Sequence, residues 1–128
     1  MAVDFRPERG DVKMIRRSNE MREERIHGLK EGKGAIQLFH LLEKEELSGK
    51  GRLCAREIIE PGNSVGYHRH EGDFELYYVL EGEGIVNDNG FETIVRKGDV
   101  VRTGNGEFHS IQNVGEKNLE LIAIILFE

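Results

Sequence analysis

The sequence has one cysteine, two prolines, no long apolar run and no excess of basic charge, and each shortage closes off a class of protein. Cys54 has no partner for an intramolecular disulfide, so the fold does not rest on covalent cross-links, and the chain suits a reducing cytosol. No apolar stretch approaches the ~20 residues of a membrane-spanning helix. The opening MAVDFRPERG lacks the apolar core of a secretory signal. A cytoplasmic protein with no membrane contact is the expectation. The formal charge is -6, and no basic stripe with interleaved aromatics runs through the chain, which argues against nucleic acid as a partner.

What the chain does have is glycine. Its 16 glycines are scattered over 128 residues, a length suited to a single core. Strand-like runs lie between them. Residues 34–42, 52–60, 64–70, 74–80, 84–87, 91–96, 99–103, 107–113 and 118–127 read as strands. They recur at intervals of roughly ten residues, and most end in a glycine turn. Asp88-Asn89-Gly90 is a strong hairpin signal. The pattern predicts an all-β antiparallel sandwich or barrel.

Residues 1–33 differ in character. Residues 1–11 read as a loose arm, residues 12–16 as a short strand, and residues 18–25 as a helical turn capped by Ser18, with a charged, solvated face. We divide the chain into this N-terminal segment, packed on the barrel, and a barrel of residues 34–128. His27 and His40 have no partner at a suitable spacing and read as surface or structural residues. The last strand is apolar on both faces, with Ile122, Ile124 and Leu126 opposite Leu121, Ala123 and Ile125. A barrel wall open to water alternates with polar residues, so this face predicts a cover: the N-terminal segment or, preferably, a second copy in a homodimer.

Four residues carry chemistry. His68 and His70 are two apart, so a strand points both to one face. Glu75 follows in the next strand, and His109 lies on a distant strand that a small barrel can bring across. Imidazole and carboxylate together suit a divalent transition metal such as Mn, Fe, Co, Ni, Cu or Zn.

These residues also carry a family resemblance. Gly62, five residues, His68, one residue, His70, four residues, Glu75, six residues and Gly82 fit the first cupin motif at every named position. Gly98, Gly106, His109 and Asn113 fit the second, with Gly104 where the family has proline. The chain therefore resembles a small single-domain cupin, similar to one half of a bicupin oxalate decarboxylase. The resemblance implies an antiparallel double-stranded β-helix, or jelly-roll barrel. It implies metal ligation by His68, His70, Glu75 and His109, with Mn or Fe first among the metals. It also implies either decarboxylase, dioxygenase or isomerase chemistry, or a sensor or binding role without catalysis. Because proline stiffens a turn, Gly104→Pro is predicted to be tolerated or mildly stabilising.

Three neutral imidazoles and one carboxylate leave a divalent cation with a single net positive charge and open coordination positions, so the ligand should be a small chelating anion. Tyr77 shares a strand face with Glu75 and is a candidate substrate contact. Arg56 shares a face with Arg52 and Cys54. It is a substrate contact if that face is inward and a solvated residue if it is not. Glu71 and Asp73 are the nearest acids by sequence and read as solvated loop residues.

Overall fold

A computed structural model describes residues 14–128. Among these described residues, ten strands form two antiparallel sheets. They are β1 (Arg22–His27), β2 (Ala35–Leu42), β3 (Gly51–Ile59), β4 (Ser64–Arg69), β5 (Asp73–Glu81), β6 (Glu83–Asp88), β7 (Phe91–Arg96), β8 (Val100–Thr103), β9 (Phe108–Asn113) and β10 (Leu119–Phe127). The larger sheet has the order β1-β2-β3-β10-β5-β8 and the smaller β4-β9-β6-β7. This is an antiparallel barrel of the kind that the glycine-punctuated pattern predicted, and it is the jelly roll that the resemblance implied. Asn89 and Gly90 both have positive φ and close the β6–β7 hairpin, as Asn-Gly does in turns matched to strand twist.

The inner faces follow from alternation. Ala55, Ile59, Leu119, Leu121 and Ala123 of the larger sheet are fully buried, and they belong to one core with Val65, Val86 and Ile111 of the smaller. In β3 the buried Ala55, Glu57 and Ile59 alternate with Cys54 and Arg56, which lie on the outer face, whereas Arg52, beside an irregularity in the β3–β10 register, reaches the cavity.

The N-terminal expectations fare differently. Residues 1–13, which include the loose arm and the start of the short strand, lie outside the described residues. Met14 to Arg16 are not in a strand. The helical turn over residues 18–25 is a correction. A 3-10 turn covers only Ser18–Glu20, and β1 then pairs with β2 from Arg22 opposite His40 to His27 opposite Ala35. β1 is an edge strand, so it tolerates charges on its solvent side, and those charges mask the period of two in which Glu24 and Ile26 turn inward. Residues 44–47 form a 3-10 turn between β2 and β3.

A second 3-10 turn, Leu29–Glu31, lies on β4. Its backbone approach is so close that a Cβ at Gly66 would collide with the Lys30 carbonyl, and one at Gly32 with the Ser64 carbonyl. This docking brings Leu29 and Lys30 to the mouth of the cavity described next.

Candidate metal centre

The register of the strands assembles the four candidate ligands. His68 on β4 lies directly opposite His109 on β9, and the β4–β9 register shifts between Val65 and His68. Such irregularities re-aim side chains. His70 follows β4, and Glu75 on β5 lies opposite Thr103 of β8 and Ile125 of β10. His70, Glu75 and His109 are buried, and His68 is partly so.

The Nε2 atoms of the histidines are 3.1 Å apart for His68 and His70, 3.1 Å for His68 and His109, and 3.2 Å for His70 and His109. Glu75 Oε1 is 3.0 Å from Nε2 of both His70 and His109. All four atoms lie within 4.8 Å of one another. Bonds of about 2.1 Å at right angles put ligand atoms about 3.0 Å apart, whereas tetrahedral bonds of that length put them about 3.4 Å apart. The donor set therefore fits a six-coordinate divalent cation better than a closed tetrahedral site, and it leaves two positions for other ligands.

The second nitrogen of each ring fixes which atom faces inward. His68 Nδ1 is 2.6 Å from the Gly66 carbonyl oxygen, which can only accept, so Nδ1 carries the hydrogen and Nε2 offers a lone pair. His70 Nδ1 donates in the same way to Asp73 Oδ1 at 2.7 Å, and Arg52 Nε donates to the other oxygen of Asp73 at 3.0 Å. Thr103 Oγ1 lies 2.8 Å from His109 Nδ1. Each histidine is thus held by a partner of its own, an arrangement that fixes the rings of metal sites. Asp73 is buried here, which corrects its reading as a solvated loop acid, whereas Glu71 is exposed as expected.

The electrostatics follow from these contacts. Burial pushes the Glu75 carboxyl up, but the rings of His109 and His70 beside it outweigh burial and hold the pKa at about 2. Burial pushes His68 down to about 4, so it is neutral at pH 7 and available as a ligand. Burial also raises the phenol of Tyr77, with Glu75 and Glu57 adding to the rise. The Tyr77 ring stacks on His109, with centroids 5.0 Å apart and planes 4° from parallel.

The site opens on a cavity of about 260 Å3. Drug-sized pockets run from about 300 to 1,000 Å3, so this one suits a ligand of few atoms. Its wall includes His68, His70, Glu75 and Tyr77, the apolar Ile26, Leu38 and Val65, and the cations Lys30 and Arg52. His40 is also on the wall, buried, with Nε2 2.8 Å from Glu24 Oε1 of β1. Arg56 is not brought to the cavity. It lies on the outer face of the sheet, 2.5 Å from Glu120 Oε1 and stacked over Phe39.

Residues 55–125 match the family model described as "Cupin domain". This chain belongs to the cupin family. A protein of Thermotoga maritima named oxalate-binding protein is 49% identical over 113 residues, which are 88% of this cupin and 93% of that protein. The crystal structure of a Thermotoga maritima protein described as a predicted oxalate decarboxylase is 48% identical, covers 90% of this chain and 100% of that one, and superimposes with a TM-score of 0.86. A Photorhabdus luminescens structure at 21% identity and a TM-score of 0.66, covering 89% of this chain and 88% of that one, shares the fold.

Sequence reasoning missed several residues of this cupin's site. Glu57 is buried and lines the cavity, and its Oε2 has no hydrogen-bond partner. The signal for it was present, since it is the one acid on the apolar face of β3, with Leu53, Ala55 and Ile59. Asp73 and Arg52 had no such signal, because their roles depend on where the β4–β5 loop places His70.

Proposed function

We propose that this cupin binds a small dicarboxylate of the oxalate class at a divalent transition metal held by His68, His70, Glu75 and His109, with Mn or Fe first among the metals. The observation that carries the reading is the convergence of four N and O donors at octahedral spacing on a small cavity. A bound divalent cation supplies Lewis acidity and one net positive charge, which favours adjacent carboxylate oxygens. Lys30 and Arg52 on the wall add positive charge, and Tyr77 packs the floor beside His109. The oxalate-binding relative supports the same ligand class.

The test is elemental analysis of protein purified without a chelating tag, followed by calorimetric titration with oxalate. Wild type should hold metal and bind oxalate, and His68→Ala should lose both. Equal metal content in the two proteins would remove the assignment. Turnover is a second reading, favoured by the buried, unpartnered Glu57 carboxyl on the cavity wall. Release of CO2 from oxalate, or uptake of O2, separates a decarboxylase or dioxygenase from a binding module.

We also propose a cytosolic homodimer. Outward-facing Cys54, Ile124 and Leu76 lie in register across β3, β10 and β5, and Ile122, Tyr78 and Val100 lie in register across β10, β5 and β8. Tyr78 and Val100 remain 42% and 58% exposed, which leaves apolar surface on this face for a second copy to cover. A single peak of monomer mass in light scattering at micromolar concentration counts against the dimer, and cell fractionation tests the location.

A further inference from the structure

We propose that Glu57 is the hydrogen-bond donor that this cavity offers to its ligand, and that it selects small dicarboxylates over anions with no acceptor at their far end. The inference rests on the dicarboxylate reading above and adds the residue that discriminates.

The inner face of the larger sheet forms one wall of the cavity. At one level across it stand His40, Ala55, Ala123 and Tyr77; at the next level stand Leu38, Glu57, Leu121 and Val79. The two alanines are small and fully buried. They leave space above the sheet between Glu57 and His40 on one side and Tyr77 and Glu75 on the other, and all four of these residues line the cavity.

Glu57 is 3% exposed, and among the described residues its Oε2 is the one buried side-chain oxygen or nitrogen with no partner. A buried polar atom left unpaired costs about 1–3 kcal/mol. An ionised carboxylate with no cation beside it costs more, so a group placed like this is neutral. In the metal-free protein burial first, and the charge of Glu75 second, raise its pKa to about 8, in agreement. A neutral carboxyl has a hydrogen to give, and among the described residues no acceptor lies within hydrogen-bond distance of Oε2 to take it. The acceptor that completes it is on the ligand. A dicarboxylate that presents two adjacent oxygens to the donor cluster has two more at its far end, and one of these is the acceptor.

Calorimetric titration of the Mn-loaded proteins at pH 7 tests this, with oxalate and acetate as probes, since acetate bound through its two oxygens has only a methyl group at its far end. Glu57→Leu fills the same space without a donor, and Glu57→Gln keeps a donor in the same place. Thermal melting and Mn content check that each variant is folded and loaded. Glu57→Leu should weaken oxalate binding about tenfold or more and narrow the preference for oxalate over acetate, while Glu57→Gln stays within about threefold of wild type. Oxalate binding unchanged in Glu57→Leu overturns the inference alone, as does a Glu57→Gln protein as weak as Glu57→Leu. Wild type that takes up Mn but binds no oxalate removes the dicarboxylate reading and this inference with it.

Discussion

Two side chains outside the donor set show what single residues contribute. Asp73 holds His70 by its Nδ1 and is held in turn by Arg52. Asp73→Leu removes the acceptor that fixes the ring, so metal affinity should fall about 10- to 100-fold. Competition with a fluorescent chelator measures this; an affinity equal to wild type would show that the barrel alone orients His70. Glu57 acts on stability. Its folded pKa of about 8 lies above the usual carboxylate value, so the folded state keeps a proton that the unfolded state releases. Its contribution is therefore fully present below the unfolded pKa and is lost as pH rises to about 8, above which it is flat. In metal-free protein, Glu57→Leu should gain about 1–3 kcal/mol over wild type at pH 8, and the gain should shrink towards pH 5. Chemical denaturation at the two pH values reads it, and a pH-independent difference would place the Glu57 proton elsewhere. At this scale the sequence displayed the donors and concealed their supports. His68, His70, Glu75 and His109 have residue types and spacing that stand out in a linear chain. Asp73 and Glu57 differ from any other acid only in what the fold packs around them.

Among the elements, alternation made the central strands legible and charge made β1 illegible. β10 and β5 declare themselves by apolar and aromatic content, whereas Arg-Glu-Glu-Arg-Ile-His in β1 looks like a solvated helical face until its pairing with β2 is known. The β8–β9 turn teaches the same lesson. Proline at Gly104 was expected to be harmless, because that reading considered only the stiffness of the turn. In the structure Gly104 is buried; a Cβ there would approach the Cβ of Phe74 to 2.6 Å, and its N–H donates to Glu107 Oε1 at 3.2 Å. Proline would add the clash and delete the donor. Gly104→Pro should therefore destabilise the barrel by about 1–3 kcal/mol, and it should weaken metal binding because Thr103 and His109 flank the turn. Thermal melting and metal content check both effects; a melting temperature at or above wild type restores the earlier expectation.

For the whole molecule, the donor cluster is a tie between two sheets. His68 and His109 belong to the smaller sheet, Glu75 to the larger, and His70 to the chain that crosses between them. A cation shared by these residues must be released, or the sheets must stay together, so binding favours the closed barrel. The size of the effect follows from mass action. Free metal at 100 times its dissociation constant stabilises the folded state by about 2.7 kcal/mol, which for a domain of this size is a rise in melting temperature of about 10 °C. Chelation of purified protein should lower the melting temperature by that amount, and re-addition of Mn should restore it. His68→Ala should melt at one temperature under both conditions. Arg56→Ala, altered on the outer face, should keep the full metal-dependent shift even if its own baseline moves through loss of the Glu120 and Phe39 contacts. A wild-type melting temperature indifferent to chelator and metal alike would mean that the sheets are held by their apolar core alone and that the four donors bring no cation into the fold.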